Sequence, residues 1–423
     1  MTIISLLVRL SFTALFYFAP DLFLHGAVKT AFPKNRKKAL RRYWSVNIGL
    51  FIITSSGFLL MQYMDPALAR LNLYFLGVFV SLLFAKLLSA LLLLIAEDTW
   101  RVPLSLATLK KRKATAAPET RTPVLISRRT FISRTALLAG ALPFAGFMYG
   151  MISGRYRFTI HRETLSFDDL PQAFDGLTIT HISDLHMGSW DKAADAHIRE
   201  LVTLVNNLQS DVLFFTGDIV NSRADEMNNW YDLLTGFHAG TGKFSILGNH
   251  DYGDYVKWKS DAEKDANLGL VKNIHPAIGF QLLLNEHRFI EKNGERLYIA
   301  GVENWGKGEF PKFGDLDKAF SGIPDDAFTI LLSHDPSHWK AKVLDHKKIP
   351  HLTLSGHTHG FQMGIETPAF RLSPSQLVYD EWAGLYSAGN RHLYVNRGLG
   401  TVGYPGRLGI WPEITHITLK KNA

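Results

Sequence analysis

An N-terminal set of membrane-spanning helices followed by an α/β domain is the architecture this sequence predicts. Two observations carry it. Nearly uncharged runs of membrane-crossing length crowd the first 151 residues. Beyond them, short apolar runs of strand length alternate with helical patterns. The expected boundaries are a membrane region at 1–151 and an α/β domain at 152–423.

The membrane part comes first in the chain. Tyr43–Met64 is an unbroken uncharged run, and a span needs about 20 residues. Leu71–Ala96 is interrupted only by Lys86, whose long stem is expected to snorkel. Ile3–Leu24 holds Arg9, Pro20 and Asp21, and Thr135–Met151 is short and rich in Gly and Ala. Seven Lys/Arg lie between Lys29 and Arg42 and nine between Arg101 and Arg134, including Lys110-Lys111-Arg112-Lys113. The loop joining the middle segments has only Asp65 and Arg70. Basic loops stay in the cytoplasm, so four crossings place both chain ends outside. Ser127-Arg128-Arg129-Thr130-Phe131-Ile132 before the last segment resembles a twin-arginine export signal.

Charge divides along the same line. The net formal charge is +8, yet residues before Gly150 carry 19 Lys/Arg against 5 Asp/Glu, and the remainder 27 against 33. An acidic C-terminal domain argues against a nucleic-acid partner, because phosphate contacts need a basic surface. There is no cysteine, so disulfides, thiolate metal sites and cysteine nucleophiles are excluded.

Five predicted strands of the C-terminal domain end in metal-binding residue types. Leu177–Ser183 runs into Asp184-Leu185-His186, Val212–Phe215 into Gly217-Asp218, and Phe244–Leu247 into Gly248-Asn249-His250-Asp251. Thr329–Ser333 runs into His334, and Leu352–Ser355 into Gly356-His357-Thr358-His359. Strand carboxyl ends are where sites form in α/β sheets, and the helical patterns Ala193–Leu208 and Glu226–Leu234 suit crossover connections. Asp184/His186 and His357/His359 are i, i+2 pairs, which an extended strand end points the same way. Imidazole, carboxylate and amide donors without sulfur suit Mn, Fe or Zn better than Ca. Seven such donors exceed one ion's usual protein ligands, so two divalent ions sharing a bridging carboxylate is the economical arrangement.

In order and type these blocks resemble the calcineurin-like metallophosphoesterase signature, D-x-H, G-D-x-x-N/D, G-N-H-D, a lone His and G-H-x-H, over Asp184–His359. The resemblance implies a two-sheet α/β sandwich with helices outside. It assigns Asp184, His186 and His359 to one metal and Asn249, His334 and His357 to the other, with Asp218 bridging. It makes His250 the group that protonates the leaving oxygen or stabilises the developing charge, oriented by Asp251, and Asn221 the last place of the second motif. Leu393–Gly400 (LYVNRGLG), Arg407 and Pro412-Glu413-Ile414 are similar to the bacterial membrane-attached branch. That branch often has Gly-Gly-Gln where this chain reads Gly360-Phe361-Gln362. Arg397 and Arg407 are left out of the expected site.

The implied function is hydrolysis of a phosphate ester by metal-bound hydroxide at a site tethered to the bacterial inner membrane and facing outward, with a lipid, nucleotide-sugar or envelope-derived substrate. A lipid-specific pyrophosphatase similar to the UDP-2,3-diacylglucosamine hydrolases is one alternative. A non-catalytic metal-binding scaffold is another, opposed by intact Asp218, Asn249 and His250.

Overall fold

The computed structural model describes residues 3–60, 69–111, 127–348, 350–367 and 369–422. The chain divides into two compact units, Met1–Met151 and Ile152–Ala423. The far end of the Tyr43–Met64 run, the loop containing Asp65, and the basic loop from Arg112 to Ile126 lie outside the described residues.

The first unit is helical: α1 (Ile3–Phe18), α2 (Asp21–Ala31), α3 (Arg36–Leu60), α4 (Ala69–Lys111) and α5 (Arg128–Ile152). The expected Ile3–Leu24 span is not one helix. It breaks at Ala19-Pro20, since a proline nitrogen has no proton to continue the ladder. Within α4 and α5, Leu73–Ala96 and Arg129–Ile152 are long and apolar enough to cross a membrane; among the described residues these two pass that test. Lys86 does not snorkel as expected. Its ammonium lies 2.9 Å from Asp21 Oδ2 and 2.9 Å from the Tyr17 carbonyl, with both charged side chains buried. Asp21 also accepts hydrogen bonds from Tyr43 and, at 2.9 Å, from Asn47.

The second unit carries fourteen strands among the described residues: β1 (Thr159–Phe167), β2 (Thr178–Ile182), β3 (Val212–Phe215), β4 (Gly242–Ser245), β5 (Gln281–Leu282), β6 (Glu286–Lys292), β7 (Glu295–Gly301), β8 (Thr329–Leu332), β9 (Leu352–Ser355), β10 (Ile365–Glu366), β11 (Arg371–Leu372), β12 (Gly384–Ala388), β13 (Arg391–Val395) and β14 (Glu413–Lys421). Two six-stranded sheets form, in the orders β1-β14-β2-β3-β4-β5 and β12-β13-β9-β8-β7-β6, while β10 and β11 make a small hairpin.

Alternation along the strands sorts side chains into layers. Ile179, Phe214 and Ile246 from the first sheet meet Ile299, Ile330, Leu354 and Tyr394 from the second in one buried core. On the outer face of the first sheet, Ile182, Leu213 and Phe215 pack with Ile198, Leu201 and Val205 of α6 (Asp195–Asn207). Ala300, Leu331 and Val395 do the same on the second with Phe320 and Trp339. The result is a two-sheet α/β sandwich.

The expected Glu226–Leu234 helix is reduced to a 3-10 turn, Ala224–Met227, and one α turn, α7 (Tyr231–Leu234); the next full helix is α8 (Asp261–Ala277). Two physical causes are visible. The Glu226 carboxylate is engaged by the backbone N–H groups of Asn221, Ser222 and Arg223, and Asn228-Asn229 is a poor helix continuation.

Candidate metal centre

All five predicted strands have counterparts, β2, β3 and β4 in the first sheet and β8 and β9 in the second. The third-motif strand β4 begins and ends two residues earlier than expected. The site therefore draws on the carboxyl ends of both sheets, which is how residues 175 positions apart in sequence come to share it.

Neighbouring loops hold one another. Asp184 N donates to Gly217 O at 2.9 Å, and His186 N to Asp218 O at 3.0 Å. Gly217 is required here: its φ is +97°, and a Cβ would lie 2.7 Å from Leu247 C and 2.8 Å from Gly248 Cα. Asp184, His186, Asp218, His357 and His359 all have positive φ, between 47° and 72°, without being glycine. Such strain persists only where surroundings enforce it, and it gathers at functional sites.

The strained backbone brings donor atoms together. His186 Nε2 and His359 Nε2 are 3.0 Å apart, with Asp184 Oδ1 3.2 Å from the latter. Asp218 Oδ2 lies 3.5 Å from His186 Nε2 and 3.3 Å from His334 Nε2. From there Asn249 Oδ1 is 3.1 Å from His334 Nε2 and 2.7 Å from His357 Nδ1. All seven residues expected to hold metal are thus brought together, as two groups with Asp218 common to both.

The donor chemistry fits cations. His186 Nδ1 donates to Asn221 Oδ1 at 2.9 Å and His334 Nδ1 to the Thr216 carbonyl at 2.7 Å, which leaves each Nε2 lone pair facing inward. Acceptors then face acceptors, an arrangement stable only with positive charge between them. Without a metal, protons would take that part. Arg407 donates to His359 Nδ1 at 3.1 Å, so the His359 ring proton sits on Nε2, toward Asp184 and His186. Burial disfavours a charged His334, but Asp218 and Asp184 outweigh it and push the ring up to about 10. Burial alone would likewise raise Asp218, yet His334, His250 and His186 hold its carboxyl well below the usual carboxylate range.

His250 stands beside the first group, its ring 4.8 Å from that of His186 and stacked on Tyr255. Its orienting partner is not the expected Asp251. His250 Nδ1 donates to the Asn221 carbonyl at 2.8 Å. The Asp251 carboxylate turns inward and accepts from the backbone N–H groups of Asp218, Ile219 and Gly248 at 2.8–2.9 Å, tying the second and third motifs together. In the 3-10 turn His250–Tyr252, adjacent side chains point about 120° apart, so sequence adjacency did not place them on one face. Asn221 consequently serves twice, its amide oxygen fixing His186 and its carbonyl fixing His250.

Three residues escaped the sequence reading. Tyr255 Oη accepts from Asn249 Nδ2 at 2.7 Å, which turns Oδ1 toward the histidines. Tyr379 Oη is 2.8 Å and Asp335 Oδ2 3.4 Å from His357 Nε2. Only Asp335, adjacent to His334, carried a positional signal; the tyrosines lie in loops. Arg397 is held by Glu413 and Glu366, whereas Arg407, left out of the expected site, reaches it by donating to His359 Nδ1; both arginines are buried.

Residues 177–361 match the family model described as calcineurin-like phosphoesterase, and residues 5–155 that of the probable calcineurin-like phosphoesterase transmembrane domain. The uncharacterized metallophosphoesterase YkuE of Bacillus subtilis is 32% identical over 304 residues, 70% of this chain and 98% of its own length. The chain belongs to the calcineurin-like metallophosphoesterases. As a metallophosphoesterase it is a phosphoric ester hydrolase. The transmembrane protein with metallophosphoesterase domain of Bos taurus is 27% identical, covering 91% of this chain and 82% of that one. The UDP-2,3-diacylglucosamine pyrophosphatase LpxG of Chlamydia muridarum is 29% identical, covering 55% and 81%. A membrane association follows from the transmembrane-domain match together with the two long apolar helices.

Proposed function

We propose that this metallophosphoesterase hydrolyses a lipid or envelope-derived phosphate ester with two divalent ions, Mn, Fe or Zn. Asp184, His186 and His359 would hold one ion, Asn249, His334 and His357 the other, and Asp218 both. The observation that carries the reading is Asp218 Oδ2, within 3.5 Å of a histidine Nε2 from each group. When bound, the pair would supply Lewis acidity to the phosphoryl oxygens and acidify an attacking water.

The chain's own residues supply the remainder. His250, fixed through Nδ1 by Asn221 and stacked on Tyr255, presents Nε2; protonated there, it gives its proton to the leaving oxygen. Asp251 acts indirectly, by fixing the loops that carry Asp218 and Asn249. Residues 361–378 support an amphiphilic substrate. This stretch leaves His359 and returns to Tyr379 while exposing Phe361, Ile365, Phe370, Leu372, Leu377 and Val378, the Leu377 side chain at 89%. Phe361, where the related branch often has Gly, keeps a positive φ of 53° and is part of this apolar edge. The likeness to LpxG favours a second reading, a lipid-specific pyrophosphatase of the kind that relative's name describes. For the membrane region, 1–151, the reading is four crossings with cytoplasmic basic loops, and Arg128-Arg129 acting as a twin-arginine signal that sends 152–423 outward.

The test uses the full-length protein in detergent, stripped of metal and reloaded with Mn²⁺, Fe²⁺ or Zn²⁺. Reloading should restore turnover of p-nitrophenyl phosphate or its bis ester. Leu377→Asp should slow hydrolysis of micellar phosphatidic acid while sparing the soluble esters. Stoichiometric metal without turnover of any of these would defeat the phosphoesterase mechanism, and equal effects of Leu377→Asp on all substrates would defeat the amphiphile reading.

A further inference from the structure

The membrane unit contains a groove of about 690 Å³, within the range of small-molecule sites. Its walls come from Leu24 and Val28 of α2, Val46 and Leu50 of α3, Leu82 and Ala85 of α4, and Leu137 and Phe144 of α5. Three polar residues of the walls, Tyr43, Asn47 and Lys86, all bond to Asp21. Apart from Asn35, Ser89 and the charged end, the rest of the lining is apolar.

One end differs. Lys38 and Arg42 line it, both exposed, and neither makes an ion pair among the described residues. They stand at i and i+4 on α3, so their Cβ atoms are about 5–6 Å apart on one helix face, a spacing suited to gripping a single phosphate. Asp21 is the only carboxylate that approaches the groove among the described residues, and Lys86 neutralises it. The groove therefore presents two uncompensated positive charges above an apolar slot.

Its length is informative as well. From Lys38 to Leu50 the lining follows α3 for roughly 18 Å at 1.5 Å per residue. One leaflet is about 15 Å of hydrocarbon and about 20–22 Å with its headgroups, which brackets that length. The slot matches one leaflet in depth, with its cations at the headgroup level on the side of the basic loop Lys29–Arg42. We propose that it is a binding site for an anionic phospholipid, the phosphate held by Lys38 and Arg42 and an acyl chain lying along α3 between α2, α4 and α5. This site is separate from the phosphate-ester chemistry of the second unit and does not depend on the substrate proposed there.

Native mass spectrometry of the full-length protein tests it, with dioleoylphosphatidylglycerol and dioleoylphosphatidylcholine added in equal amounts, since these share tails and differ in headgroup charge. One phosphatidylglycerol should be retained about thirtyfold more tightly than phosphatidylcholine, the attraction expected of two basic side chains. Lys38→Ala with Arg42→Ala should bring it down to the phosphatidylcholine level. Ala141→Trp, which fills the slot, should remove retention of both lipids and leave hydrolysis of p-nitrophenyl phosphate unchanged, a control for folding. Equal retention of the two lipids by the unmodified protein would overturn the proposal. So would selective retention that survives both variants. A lipid-free dimer broken by Ala141→Trp would also overturn it, by showing that a second copy of the chain occupies the slot.

Discussion

Both units bury charge, and they do so in opposite ways. In the membrane unit, Lys86 meets Asp21, and Asp21 is further satisfied by Asn47 and Tyr43, so donors and acceptors match. In the phosphoesterase unit, Asp184, Asp218, Asn249 and four histidines bring acceptor atoms against acceptor atoms on a strained backbone. The first network is closed and is expected to be structural. The second leaves acceptors without matching donors, and on the reading proposed above divalent cations balance them. Burial and polarity are common to both, and only the donor–acceptor balance separates them.

The sharpest way to break the comparison is Asp218→Asn, which weakens the one ligand common to both groups. Turnover should fall by at least about 10³-fold, beyond the 10–100-fold typical of residues that only orient a ligand. A stopped assay with each metal checks this. His250→Ala should slow turnover by about 10²–10⁴-fold while metal content stays the same, separating proton donation from metal binding.

In the closed network, Asp21→Ala strands Lys86 and should cost the membrane unit about 3–5 kcal/mol, whereas Asp21→Leu with Lys86→Met should recover most of it. Detergent-based unfolding of the three proteins measures the difference. If the single variant costs nothing, the pair is not the closed structural network described.

Asn221→Ala should weaken metal affinity about 10–100-fold by freeing the His186 ring, while His250 keeps its bond to the backbone carbonyl of residue 221. The smallest effect is that of pH on stability. Burial pushes His275 down to about 3 and His181 down to about 4, so both fold neutral. Their contribution is complete above the unfolded value near 6.5 and is lost progressively as pH falls from there toward the folded values. Each should remove about 1.4 kcal/mol per pH unit between pH 6 and 5, read from unfolding midpoints.

Much of the phosphoesterase unit was legible in sequence because its information is local. Four-residue strands such as Val212–Phe215 and Leu352–Ser355 end directly in the ligand motifs, so position along the chain gives position in the site. What stayed hidden depends on direction or on distance. Asp251 follows His250 yet points into the loops, and Tyr379 reaches His357 from a loop with no pattern of its own. In the membrane unit, Lys86 and Asp21 are 65 positions apart, and hydropathy could not pair them. The break at Pro20, by contrast, was written in the residue that cannot extend a helix.

The most direct test of the open network is metal content measured beside turnover, by equilibrium dialysis and elemental analysis of the full-length protein. The account predicts two ions at saturation, one ion retained in His334→Ala and in His359→Ala, and turnover only where both are present. Full turnover with a single bound ion, or two ions held undiminished by Asp218→Asn with its activity intact, would contradict it.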